Sequence, residues 1–78
     1  MIQMQLGKNG LTLGFIEDIR KRFANTESVR ISILQSATRN KEEVKKWAEE
    51  ITGLLGKNYT NKVIGWTIVL RKWRKAKN

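Results

Sequence analysis

Residues 59–72 read Tyr59-Thr60-Asn61-Lys62-Val63-Ile64-Gly65-Trp66-Thr67-Ile68-Val69-Leu70-Arg71-Lys72. Gly65-Trp66 separates two strand-like runs, and glycine in the first of two loop positions meets the positive-φ demand of a type II′ hairpin turn. Tyr59 to Ile64 and Trp66 to Trp73 are therefore predicted to be antiparallel strands. A half-exposed strand alternates apolar and polar residues, but Ile68-Val69-Leu70 is continuously apolar. The last strand is accordingly expected inside the sheet, with a neighbour on each side.

Working back from the hairpin, Val44, Trp47, Ala48 and Ile51, with Leu55 as a possible continuation, recur at helical spacing. Asn40 with Glu43 fits a capping pattern at the start of that helix, and Gly53 and Gly56 compete as its stop. Val29, Ile31 and Ile33 alternate with Arg30 and Ser32 as a strand. Before it, Phe15, Ile16, Ile19 and Phe23 form a second helical stripe, with Thr12 as N-cap. Glu17 and Asp18 are expected near the start of this helix and Arg20, Lys21 and Arg22 near its end, both complementing the macrodipole. Gly14 weakens the first turn by about 1 kcal/mol relative to alanine, which reads as a place where something approaches the backbone closely. Ile2, Met4 and Leu6 alternate with Gln3 and Gln5 as the opening strand. The order is β-α-β-α-β-β. Two strand–helix–strand crossovers imply parallel, right-handed connections, and the hairpin adds an antiparallel strand. The fold class is α/β, a two-layer sandwich with a mixed four-stranded sheet, both helices on one face and a partly open, polar face opposite.

The chain has 78 residues, of which 40% are apolar: enough for one core and too many for a disordered tail. One domain over residues 1–72 and a basic tail over 73–78 are expected. There is no cysteine and no histidine, which excludes disulfides, thiolate or imidazole metal sites and His-based catalysis. Six of the seven carboxylates fall on the helices as solvated faces and Glu27 falls in a loop, with none poised beside a nucleophile. The reading is a non-enzyme with no catalytic residue, no metal and no cofactor. No stretch approaches 18 apolar residues and the N-terminus has no secretory pattern, so a cytoplasmic protein without a membrane partner is expected, with a monomer favoured.

The formal net charge is +9, and it is uneven: +3 over residues 1–40, −1 over 41–56 and +7 over 57–78. Such an excess opposes compaction by self-repulsion and suits a polyanion. One short segment adds chemistry to charge. Gly7-Lys8-Asn9-Gly10 is a glycine-flanked loop that joins a strand to a helix. It is either a tight turn and nothing more, or a cradle where a phosphodiester backbone meets main-chain N–H groups at a helix N-terminus. In the second case Lys8 supplies a full charge, and Asn9 and Thr12 supply hydrogen-bond donors. The spacing matches neither the nucleotide P-loop nor the dinucleotide fingerprint.

Gly7-Lys8-Asn9-Gly10-Leu11-Thr12 after a strand resembles the loop motif of CRM domains, the chloroplast RNA splicing and ribosome maturation module, whose stand-alone bacterial members are the YhbY-like proteins. Ser28-Val29-Arg30-Ile31 is similar to that family's Val-Lys-Val strand, and Val63-Ile64-Gly65 with Thr67-Ile68-Val69-Leu70 to its closing hairpin. The resemblance covers nearly all of residues 2–72. It implies an RNA-binding domain tied to ribosomal large-subunit precursors, and a fold similar to the C-terminal domain of the third translation initiation factor, with sheet order 1-2-4-3. Family members usually begin with a helix ahead of the first strand, whereas here the strand starts at residue 2. Arg71 and Lys72 stand where the family has Tyr and Arg.

The remaining candidate RNA contacts are cations. Arg20, Lys21 and Arg22 could flank the loop or simply compensate the helix dipole. Arg30, Lys62 and Arg71 could line the open sheet face or be ordinary solvated positions. Arg71-Lys72-Trp73-Arg74-Lys75 interleaves a ring with four cations, and Lys72 and Arg74 are read as phosphate contacts. Trp47 reads as core, while Trp66 and Tyr59 are either hairpin packing or stacking platforms. The expected partner is structured RNA, with ribosomal RNA or a precursor of the large subunit as the possibility the resemblance raises. Two other classes compete: an architectural DNA-binding protein, which the charge alone would equally suit, and a structural interaction subunit of a ribonucleoprotein using the sheet face.

Overall fold

The computed structural model describes residues 2–72. Its elements are β1 (Ile2–Leu6), α1 (Leu13–Arg22), β2 (Ser28–Ile33), α2 (Lys41–Leu55), β3 (Tyr59–Ile64) and β4 (Thr67–Lys72). The sheet order is β1-β2-β4-β3, with β1 and β2 parallel and β4 antiparallel to both its neighbours. The apolar run of β4 thus has the interior position that it predicts: Ile68 and Leu70 are fully buried between β2 and β3. The fourth strand begins one residue later than expected, because Trp66 belongs to the turn. The register Ile64↔Thr67 leaves Gly65 and Trp66 as the whole loop, and Gly65 has φ +58°. The expected end of the strand at Trp73 and the basic tail over 73–78 lie outside the described residues.

Both helices cover one face of the sheet. The core combines Met4 and Leu6 of β1, Val29, Ile31 and Ile33 of β2, and Ile68 and Leu70 of β4 with the stripes Ile16, Ile19, Phe23 and Val44, Ala48, Ile51, Leu55. Truncating one such aliphatic side chain to alanine typically costs about 2–5 kcal/mol, a large part of a small domain's stability. The described residues include no buried polar or charged side chain.

Capping fixes where each helix begins. Thr12 Oγ1 accepts the N–H of Phe15 at 3.1 Å. Asn40 Oδ1 accepts the N–H of Glu42 at 2.9 Å, while the N–H of Asn40 donates to Thr38 Oγ1 at 3.1 Å. That threonine takes the place that Glu43 would have in a reciprocal capping box. Of the two candidate stops for α2, Gly56 is the cap, with φ +125° and its N–H donating to Thr52 O. Glu17 and Asp18 lie beyond the first turn of α1, which carries no acidic residue. The expected dipole compensation at that end is therefore absent, and the N-terminus of α1 keeps its partial positive charge.

The two sheet edges are treated differently. On β3, the Asn61 amide donates to Ala48 O and Thr52 Oγ1 of α2, at 3.4 and 3.1 Å. β1 pairs only with β2, and α1 leaves a hollow along its other side.

Candidate nucleic-acid interface

The loop between β1 and α1 is a β-turn closed by the N–H of Gly10 donating to Gly7 O at 2.9 Å. Lys8 and Asn9 occupy its tip and are exposed. Gly10 has φ +65°, the left-handed conformation that L side chains reach at a cost of about 1–2 kcal/mol. Gly7 has no positive φ, and a Cβ there would meet only ordinary contacts with Leu34 and Ser36. Of the two loop glycines, only Gly10 is demanded by the backbone.

The turn is held from three sides. Leu6 is buried before it, Leu11 packs on the core after it, and the Trp47 ring lies 3.7 Å from the point where a Gly10 Cβ would stand. Trp47 is half-buried against the core, as its place on the helical stripe predicts, and it also forms the floor of the loop. The N–H groups of the first helical turn ahead of Phe15 have no intrahelical acceptor, so the Lys8 cation at the tip and the positive end of α1 share one corner of the molecule.

Beside this corner lies a hollow of about 490 Å³, lined by Gln5, Leu6, the Gly7–Gly10 loop, Thr12, Gly14, Phe15, Glu17, Asp18 and Lys21. Gly14 opens onto it: apart from its chain neighbours and its own helix, the nearest atom to a Cβ built there is Thr12 Oγ1 at 3.8 Å. The expected close approach within the protein is absent.

The basic end of α1 divides into three roles. Lys21 reaches the hollow. The Arg20 guanidinium donates to Leu54 O in the last turn of α2, which has no basic residue of its own there. It ties the two helices together and satisfies a terminal carbonyl. Arg22 lies 3.9 Å from Asp18, one turn back, with both side chains about half exposed; such a pair is worth at most about 1 kcal/mol. Of the two arginines expected to face RNA, then, Arg20 is a structural tie and Arg22 is partly neutralised.

The open sheet face carries the second cationic zone. Gln3, Arg30, Val69 and Lys62 form one row across all four strands, and Ser28, Arg71 and Thr60 form another. Arg30 and Lys62 flank Val69 at two strand spacings, roughly 10 Å. No acidic residue stands in any of the four strands. Arg71 and Lys72 end β4 at the far end of the sheet from the loop, a strand length or roughly 17 Å away, so one phosphate cannot touch both. Arg74 lies outside the described residues.

The rings left open by the sequence are resolved as packing. Tyr59 meets Phe23 edge-to-face at 5.1 Å. Trp66 packs against the core, with Lys41 Nζ 5.8 Å from its ring centre. The ring that reaches the hollow is Phe15, half-buried on the core. Gly14, singled out in the sequence as a place of close approach, lines the hollow, whereas Gln5 read only as a polar strand position and Phe15 only as core. Among the described residues no three His, Cys, Asp or Glu side chains are grouped to hold a metal ion, and no helix is long and apolar enough to cross a membrane.

No curated protein matches the chain. The family model of the CRS1 / YhbY (CRM) domain matches residues 2–72, the span that holds all six elements and the loop. The chain belongs to the CRM domain family, whose members are generally RNA-binding.

Proposed function

We propose that this chain binds structured RNA chiefly through its phosphates, with the Gly7–Gly10 loop as the clamp and the open sheet face as a second electrostatic contact. The observation that carries this reading is the loop itself. A buried residue, a packed residue and a tryptophan floor hold the turn in one shape, so little ordering remains to be done when a backbone docks. Lys8 then meets a phosphate as a point charge, while Asn9, Thr12 and the α1 N–H groups donate hydrogen bonds. Arg30, Lys62 and Arg71 would add charge along the sheet, and Lys72 and Arg74 at its far end. Given the separation of the two zones, these contacts fall on different segments of a folded RNA. Ribosomal RNA of a large-subunit precursor is the RNA class that the family resemblance suggests.

The test is competition between a bulged hairpin RNA and a DNA duplex of equal length at physiological salt. A regular B-form duplex lacks the bendable backbone and free 2′-hydroxyls that a loop clamp exploits. Preference for the RNA is expected, and Lys8→Ala should weaken RNA binding with the melting temperature unchanged. DNA competing equally well would move the assignment to duplex architecture. Unchanged affinity for Lys8→Ala would remove the loop as the clamp.

A further inference from the structure

The lining of the hollow does not suit phosphate alone. Lys8 and Lys21 favour an anion, but Glu17 and Asp18 share the same walls and would repel one. Asp18 is partly accounted for by Arg22. Glu17 is exposed and has no side-chain partner among the described residues. Phe15 presents a half-buried ring to the same space, and Gly14 keeps the wall beside it free of a side chain. A purely electrostatic clamp has no use for a ring or an unpaired carboxylate, whereas a nucleobase uses both. Its face stacks on an aromatic side chain. Its exocyclic amino group donates to a carboxylate. The free side of β1 adds main-chain groups that no neighbouring strand takes up. The volume of about 490 Å³ lies within the range of small-molecule sites.

We propose that the hollow between β1 and α1 receives one unpaired nucleotide of the bound RNA, with its phosphate at Lys8 and its base on Phe15, read by Glu17. This deepens the phosphate-clamp reading and rests on it. The clamp holds the backbone at the loop, and the hollow selects RNA in which a base is free to leave the helix, as at a bulge. Bases that carry an amino group (adenine, cytosine, guanine) should be preferred to uracil, because a carboxylate needs a donor.

The experiment titrates the full chain with two RNA duplexes that differ only by one bulged adenosine, and repeats it with Glu17→Gln and Lys8→Ala. Thermal melts check that each variant folds. The wild-type protein should prefer the bulged RNA by about tenfold, the scale of one good base contact. Glu17→Gln is decisive because the two readings give it opposite signs. It removes a negative charge, so a phosphate-only clamp would bind both RNAs more tightly by the same factor. A base site instead loses most of its preference for the bulge while binding to the paired RNA holds or rises. Absence of any bulge preference, or equal tightening on both RNAs with Glu17→Gln, would overturn the base site while leaving the clamp intact. The clamp itself fails separately, if Lys8→Ala leaves binding to both RNAs unchanged.

Discussion

Two turns sit at the same end of the sheet, and each turns on a glycine of nearly the same φ: Gly10 at +65° and Gly65 at +58°. One joins β1 to α1 and the other joins β3 to β4. The surroundings of the two glycines set them apart. After Gly10 the chain enters a helix whose first turn lacks acidic residues, beside an open hollow and two lysines. After Gly65 it enters a central strand, and Trp66 packs down on the core under Lys41. A positive-φ glycine is thus a statement about backbone geometry. Binding capacity comes from the dipole, the charges and the empty space placed next to it.

The largest contrast should come from placing the same residue at both turns. Asp tolerates the left-handed conformation better than most side chains but still pays about 1 kcal/mol, and at neither site does a Cβ clash: Trp47 lies 3.7 Å away at Gly10 and nothing lies within 4 Å at Gly65. Gly10→Asp and Gly65→Asp carry the same charge change, and denaturant titrations measure the stability that each loses through its positive φ. Only Gly10→Asp should lose RNA binding by more than about tenfold, because it sets a carboxylate at the helix N-terminus where phosphate is expected. Equal losses at both sites would reduce the comparison to net charge.

A smaller effect is expected from Lys8→Ala. One phosphate contact removed should lower affinity across RNA sequences alike and reduce the slope of log affinity against log salt by about one. A slope that does not move would mean that Lys8 touches no phosphate. The smallest effect on binding belongs to Arg20→Ala. Its guanidinium is engaged with Leu54 O, so its loss should appear as about 1 kcal/mol of stability, with RNA affinity changed by less than for Lys8→Ala. A greater loss of binding than of stability would return Arg20 to the interface.

The hairpin, the interior place of β4 and the caps at Thr12 and Asn40 are local or nearly local signals, so the sequence makes them legible. The loop is legible as a motif. Its floor is not, because Trp47 reaches Gly10 from 37 residues away and its helical spacing says only that it is buried. The sorting of Arg20, Lys21 and Arg22 is equally hidden: three adjacent cations point in different directions round a helix, and only the position of α2 decides that Arg20 becomes a tie. Gln5 belongs to the hollow because β1 is an edge strand, a property of the sheet order rather than of Ile2–Leu6.

The most direct measurement of the central claim is a titration of ¹⁵N-labelled protein with a bulged hairpin RNA, followed through its backbone amide resonances. The amides of residues 8–14 should shift and broaden first and most, with smaller changes at Arg30, Lys62 and Arg71, while Gly65, Trp66 and Thr67 stay in place. Leading shifts at the β3–β4 turn, or shifts confined to the sheet face with the amides of 8–14 unmoved, would contradict the account.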